Sequence, residues 1–143
     1  DISDTEPGSP IYEAITDVVA TLFPYPITWA RSGNSPVNTY LLNDNIPSNV
    51  VGSDFGLYDG KIIRIKMACQ QAASITVSIY HHTGNETNLT FLMSVDMVNN
   101  TSKTIVVDPP ISVPYDVQLA CRITTGSAKN LIVSAVTRGS INP

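Results

Sequence analysis

The sequence predicts an all-β fold: an antiparallel β-sandwich of jelly-roll-like type with about eight strands, preceded by an N-terminal arm or a short helix. Two observations carry this prediction. From residue 27 onward, short segments alternate between apolar and polar residues, the period of a strand with one buried face. Charged residues make up only 14% of the 143 residues, so small polar side chains must supply the polar surface. No helical segment of crossover length separates the strands, which excludes a parallel α/β sheet.

The chain divides into an arm at residues 1–26 and a sandwich domain at residues 27–143. Residues 1–10, DISDTEPGSP, are acidic and rich in turn formers, and indicate an extended segment. Residues 11–22 place apolar side chains on one helical face, whereas their β-branched content favours a strand; a short helix is preferred. We expect the arm to dock on a neighbouring molecule, because its apolar surface would otherwise be bare. Its attachment residues are Ile11, Tyr12, Ile15, Val18, Leu22 and Phe23.

Within the sandwich domain, alternation predicts each strand in turn, and clusters of Gly, Asn, Ser and Pro predict the loops between them. Prolines at Asp108–Pro110 and Val113–Pro114 are expected to interrupt pairing, because proline cannot donate a ladder hydrogen bond. The predicted strands are ITWAR (27–31), NTYLLN (38–43), KIIRIKMACQ (61–70), SITVSIYH (74–81), LTFLMSVDM (89–97), KTIVVD (103–108), VQLACRIT (117–124) and NLIVSAVTR (130–138).

Both histidines of the chain, His81 and His82, lie in one predicted β-hairpin over residues 74–95. Neighbouring residues of a strand point to opposite faces, so the two imidazoles cannot bind one metal unless the strand breaks there. A solvated hairpin end is the favoured interpretation, with a metal site or a ligand contact as alternatives. Asn-x-Thr triplets in the hairpin tip and near residue 100 match the glycosylation pattern, but we take them as chance matches in turns.

The two cysteines, Cys69 and Cys121, follow apolar residues at even spacing in their predicted strands. Both are therefore expected to point into the core. Two buried free thiols are the favoured interpretation, and a cross-strand disulfide is the alternative.

Composition and motifs argue against several classes of function. A net charge of −4 and eight scattered basic residues leave no basic stripe for nucleic acid. No segment approaches the roughly 18 apolar residues of a membrane-spanning helix. Catalytic motifs such as a nucleophile elbow or a phosphate-binding glycine loop are missing, so we expect neither an enzyme nor a cofactor. The candidate carboxylates stand mostly beside turn residues; they are Asp44, Asp54, Asp59, Glu86, Asp96 and Asp108.

Aromatic residues around the only tryptophan form the candidate surface for a ligand or a protein interface. Exposed aromatic side chains beside an arginine are suited to binding sugars or a protein partner. The favoured interpretation of the tryptophan itself is that it belongs to the core or to a subunit interface, because a lone tryptophan is usually largely buried. The candidate residues are Trp29, Arg31, Tyr40 and Tyr58.

Three stretches carry a family resemblance: TWARSGNSPVNTYLLNDNIPSNVVG (28–52), GLYDGKIIRIKMACQQAASITVSIYHHTGNETNLTFLMSV (56–95) and TTGSAKNLIVSAVTRG (124–139). Their shared frame is an aromatic-x-Arg-x-Gly-Asn start, a Leu-x-Asn-Asp-x-x-Pro-Ser-Asn loop, a Gly-Lys-Ile strand opening and a Gly-Ser-Ala-Lys-Asn turn. Over residues 27–139 this frame resembles a small β-domain of tailed-bacteriophage structural proteins, including head-decoration or head-fibre proteins and tail-associated adhesion proteins. The resemblance implies a virion component that is usually not an enzyme and is often oligomeric.

We therefore expect a non-catalytic virion structural protein that decorates the capsid or forms a head fibre at the particle surface. Its partners would be further copies of itself, with a trimer favoured, and the major capsid protein or another virion protein. The alternative is a tail-associated receptor-binding module that recognises a host surface glycan. A hydrolase of surface polysaccharide ranks third, since it requires two carboxylates about 5 to 10 Å apart in a groove.

Overall fold

The computed structural model describes residues 25–43, 45–49, 55–56, 60–83, 89–114 and 117–138. Within these residues the protein is all-β, without a helix, and every strand pairing is antiparallel. The predicted all-β, antiparallel class is therefore confirmed. Residues 1–24 of the expected arm, with its attachment residues, lie outside the described residues. Tyr25 and Pro26, which were assigned to the arm, instead belong to the first strand of the sandwich, where they pair with Thr137 and Val136.

The described part of the chain forms eight strands, joined into one continuous hydrogen-bonded system. They are β1 (Tyr25–Ser35), β2 (Leu42–Asn43), β3 (Ile46–Pro47), β4 (Phe55–Gly56), β5 (Gly60–His82), β6 (Thr90–Val113), β7 (Val117–Thr125) and β8 (Ala128–Arg138). The strand order is β3-β2-β1-β8-β5-β7-β4, and β6 pairs with β5 beside this path.

The long hairpin of β5 and β6 belongs to both layers of the sandwich. The first half of β5, residues 61–68, pairs with β8, whereas its second half, residues 76–82, pairs with β7. Strand β6 accompanies β5 along both halves, with shifts of register over residues 68–75. One layer thus contains β1, β8 and the first half of β5, and the other contains β7 and the second half of β5. Such shifts bend and twist a strand, which lets the hairpin pass from one layer to the next.

Residues 38–41 carry the chain from the first layer to the outer edge of β7. The amide of Asn38 donates to the Ile123 carbonyl at 2.6 Å, and the amide of Leu41 donates to the Cys121 carbonyl at 2.9 Å. In return, the Ile123 amide donates to the Thr39 carbonyl at 2.9 Å. The second layer is therefore extended, from β6 across β5 and β7 to residues 38–41.

The core lies between the two layers and is built from alternate residues of each strand, as the period of two predicts. Trp29 of β1 is fully buried, and its indole Nε1 donates to the Leu119 carbonyl of β7 at 3.4 Å. This bond ties the two layers together. The other large, fully buried apolar side chains are Ile27, Leu41, Ile62, Ile65, Ile79, Met97, Leu119, Ile123, Leu131 and Val77.

Two features of β5 and β6 differ from the prediction. Four short strands were expected over residues 61–108, but the chain forms two long ones, because bulges absorb the polar interruptions without ending the pairing. Pairing also resumes after the prolines: the register passes from Arg64↔Val106 to Ile62↔Ile111, with Pro109 in the intervening bulge. The Asp108–Pro109 peptide bond is cis. Proline is tolerated here because β6 pairs on one side only, as an edge strand does.

Candidate functional site

The predicted aromatic cluster does not assemble as expected. Trp29 has 0% of its surface exposed, so its place in the candidate ligand surface is wrong and the favoured interpretation of it as a core residue is confirmed. The reason is strand parity, since Trp29 shares the inward face of β1 with Ile27. Arg31 is exposed near the bulge of β1, and Tyr58 lies outside the described residues. Of the four candidates, Tyr40 alone is found within an aromatic cluster in the described part of the chain.

Tyr40 contacts an arginine that the sequence did not single out. The Arg122 guanidinium carbon lies 5.5 Å from the centroid of the Tyr40 ring and 5.4 Å from the centroid of the Tyr80 ring. Nη2 of Arg122 also donates to the Tyr80 hydroxyl at 3.0 Å. Two cation–π contacts and a hydrogen bond therefore hold one guanidinium between two rings.

Phe91 extends this cluster across a further strand. Its ring meets that of Tyr80 edge to face, with centroids 6.0 Å apart and an interplanar angle of 72°. Phe91 is 57% exposed, a large apolar surface to leave in water. We call Tyr40, Arg122, Tyr80 and Phe91 the aromatic row.

Strand pairing positions the aromatic row on the outer face of the second layer. Tyr40 forms a β-bridge with Arg122, and Tyr80 pairs directly with Phe91 in the β5–β6 hairpin. Tyr80 also pairs with Ala120 of β7, whose small, fully buried side chain leaves room for larger neighbours. The row thus runs across four adjacent strand segments: residues 38–41, β7, β5 and β6. A site built on paired strands is more rigid than one built on loops.

Beside the row, small hydroxyl side chains form a polar network. The Ser78 and Thr124 hydroxyls are 3.2 Å apart, and Thr124 Oγ1 donates to the Thr76 carbonyl at 3.3 Å. Thr76 Oγ1 in turn donates to a carboxylate oxygen of Asp96 at 2.7 Å. These hydroxyls place donors and acceptors next to aromatic surface, which is how binding sites fix the orientation of a ligand.

The electrostatics of the row are set by one cation. Within the described residues, no carboxylate forms an ion pair with Arg122, and its buried Nε has no hydrogen-bond partner. Among the described residues the charge of Arg122 thus has no counter-charge, which favours an anion at this position.

The histidine pair serves two different roles. His82 is buried and its Nε2 lies 2.8 Å from the Ser48 carbonyl oxygen, so the solvated hairpin end predicted for it is wrong. His81 is only partly buried, and desolvation lowers its pKa, with a further contribution from His82. In the part of the chain that the structure describes, no three His, Cys, Asp or Glu side chains come together as metal ligands.

Both cysteines are free thiols, and only one of them is fully buried. Cys121 is fully buried, as predicted, and burial raises the pKa of its thiol far above the ordinary value. Cys69 packs against the core, as predicted, but is only partly buried, because it sits at the bend of β5 where the register shifts. Its Sγ lies 2.9 Å from the Gln71 carbonyl oxygen, and desolvation raises its pKa.

The two candidate carboxylates that the structure describes, Asp96 and Asp108, lie in different layers of the sandwich. Asp96 belongs to the half of β6 that pairs in the second layer, and Asp108 lies in the bulge of the first. The other four candidates, Asp44, Asp54, Asp59 and Glu86, fall outside the described residues.

Sequence reasoning missed three of the four residues of the row. A signal existed for two of them, because pairing across the predicted hairpin brings Tyr80 and Phe91 together. Arg122 had no such signal, since its contact with Tyr40 depends on where residues 38–41 attach to β7.

Comparison with models of protein families finds no match for this sequence, and comparison with curated protein sequences finds none either. No helix of the described residues is long and apolar enough to span a membrane.

Proposed function

We propose that this chain is a non-catalytic structural protein of a tailed-phage virion, which decorates the capsid or forms a head fibre at the particle surface. It would act as a homo-oligomer, with a trimer favoured, bound to the major capsid protein or another virion protein. The resemblance over residues 27–139 and the all-β sandwich support this proposal. Assembly further requires complementary surfaces, and the distribution of charge along the chain offers them.

The observation that carries the proposal is the segregation of charge. Residues 1–24 contain five acidic residues and no basic one, together with the apolar attachment residues. The outer face of the first layer instead presents basic side chains beside the exposed Val106 and Ile132. We call this surface the basic face; its cations are Lys61, Arg64, Lys66 and Arg138, which alternate with inward-facing residues of β5 and β8.

An acidic, apolar segment and a basic, partly apolar face are complementary in both charge and hydrophobicity. Copies of one chain that carry both can associate with each other or with similar surfaces on a particle. Such association also removes exposed apolar surface, including Val106 at 72% exposure, from water.

Fractionation of purified particles tests the location. The chain should co-purify with intact particles, and its absence from purified particles would refute the proposal. Assembly is tested separately by light scattering on the double variant Arg64→Glu/Lys66→Glu, which should dissociate the oligomer. The matched control is Lys129→Glu, which changes an exposed charge at the end of β8 opposite Arg138. It should leave assembly unchanged.

A second candidate function is favoured by the aromatic row: a tail-associated module that recognises a host surface glycan. Aromatic side chains beside an arginine combine apolar stacking surface with directed hydrogen bonds, as saccharide recognition requires. A glycan array with the full chain tests this function. Binding to no glycan of the array, with Kd values all weaker than about 1 mM, would remove it.

A further inference from the structure

We propose that the aromatic row is a binding site for a saccharide that carries a carboxylate, namely a uronic acid. Arg122 would bind the carboxylate, and the exposed ring of Phe91 would stack on the apolar face of the sugar. This inference deepens the second candidate function and rests on it.

Arg122 is held ready for a planar anion. Its guanidinium is fixed between the rings of Tyr40 and Tyr80, and one N–H already bonds the Tyr80 hydroxyl. Because the side chain is immobilised before any ligand arrives, little conformational entropy remains to be lost on binding. The Nη N–H groups not used by Tyr80 can bind a carboxylate end-on as a fork, which lysine cannot reproduce, whereas the buried Nε does not reach a ligand.

Phe91 supplies the second half of the recognition. It is the most exposed ring of the row, and its edge-to-face contact with Tyr80 leaves at least one face of the ring for a ligand. One face of a pyranose ring consists of C–H groups that pack on such a surface. The neighbouring hydroxyls of Ser78 and Thr124 show that the surroundings are polar enough for sugar hydroxyls.

Charge favours an acidic sugar over a neutral one. Among the described residues Arg122 has no carboxylate partner. A neutral sugar would leave the guanidinium without a counter-charge, whereas a uronate would pair with it. The competing explanation is that the row only clamps four strand segments together, which predicts effects on stability and none on binding.

Isothermal titration of the full chain separates these explanations. The probes are tetragalacturonate, tetramannuronate and a hyaluronan tetrasaccharide, each compared with its carboxyl-methylated ester. At least one acid should bind, and its ester should bind about tenfold more weakly, because a charge-assisted bidentate contact is lost. This comparison uses the unaltered protein, so it does not depend on any variant folding.

Two variants assign the binding to the row. Arg122→Lys should weaken binding of the acid about tenfold while leaving binding of the ester unchanged, since lysine keeps the charge and loses the fork. Phe91→Ala should weaken binding of both. Lys129→Arg, at an exposed position of β8 in the other layer, is the control and should change neither. Thermal unfolding confirms that each variant is folded at the titration temperature.

The outcomes are distinct. Equal binding of acid and ester overturns the uronate inference but leaves glycan recognition standing. If the acid binds tightly and Arg122→Lys does not weaken that binding, the site lies elsewhere and the inference for the row is overturned. Binding of no probe overturns the inference, and glycan recognition fails as well only if the neutral glycans of the array are not bound either.

Discussion

Replacing Gly126 by alanine should destabilise the protein much more than the same replacement at Gly33. Both glycines have a left-handed backbone, with φ of +78° at Gly126 and +77° at Gly33. Their surroundings differ. A Cβ at Gly33 would meet no atom within 4 Å, whereas one at Gly126 would overlap the backbone carbonyl oxygen of Ser74.

The magnitudes follow from these contacts. An alanine in the left-handed region costs about 1 to 2 kcal/mol, and this is the whole expected loss at Gly33. At Gly126 the new Cβ would also lie 3.2 Å from Cγ2 and 3.3 Å from Cα of Ile75, a core residue. Because backbone of β5 must move to relieve the overlap, overpacking adds about 1 to 3 kcal/mol. Gly126→Ala should therefore lower the free energy of unfolding by about 2 to 5 kcal/mol.

Urea unfolding measures both losses, and fluorescence of the single, fully buried Trp29 reports the transition. The slope of the free energy against urea should be the same for both variants, so that midpoint shifts report stability alone. Equal losses at the two glycines would refute the reasoning, because they would show that the hairpin between β7 and β8 does not approach β5 as closely as the structure has it.

Four further predictions concern the core, the arm, the thiols and the histidine. Trp29→Phe should lower the free energy of unfolding by about 1 to 3 kcal/mol, since a buried carbonyl loses its donor; urea unfolding followed by circular dichroism measures this. Deletion of residues 1–23 should leave a folded, soluble β-domain that no longer attaches to particles or no longer oligomerises; an unfolded domain would show that the segment is core. In the native protein Cys69 should react slowly with a thiol reagent and Cys121 only after unfolding, and two equally reactive thiols would contradict the burial of Cys121. Because the pKa of His81 is lowered below its unfolded value of about 6.5, the unfolded chain binds the proton more readily. Stability should then fall slightly as the pH decreases below about 6.5, and His81→Asn should flatten that dependence in thermal unfolding scans.

Strand positions were predictable because alternation is a local property. In the predicted strand around Ile75, Val77 and Ile79, the residues of one parity are buried together, as expected. The hairpin over residues 74–95 was equally accessible, since turn residues between two alternating segments bring its arms together. Cys121 is buried for the same reason, because it lies on the same face of its strand as the buried Leu119 and Ile123.

Continuity of the long strands was not predictable in the same way. Locally, the sequence indicates strand ends at the polar stretches near Gln70 and Asn100 and at the prolines after Asp108. In the structure each of these is accommodated in a bulge. A bulge forms where the pairing before it and after it along the strand holds the strand in place. It therefore depends on partners that are distant in sequence. Cys69 deviates from its predicted burial for this reason, because parity does not persist through a bend.

Local alternation in the sequence was enough to predict the all-β class, the inward parity of most core residues and the hairpin that brings Tyr80 and Phe91 together. The tertiary structure alone decided which layer each half of β5 joins, and that Trp29 bonds to β7 from inside the core. It also decided that Tyr40 meets Arg122, which completes the aromatic row. The physical reason is that side-chain period specifies which face of a strand is buried, whereas the choice of strand partner depends on packing of the entire core.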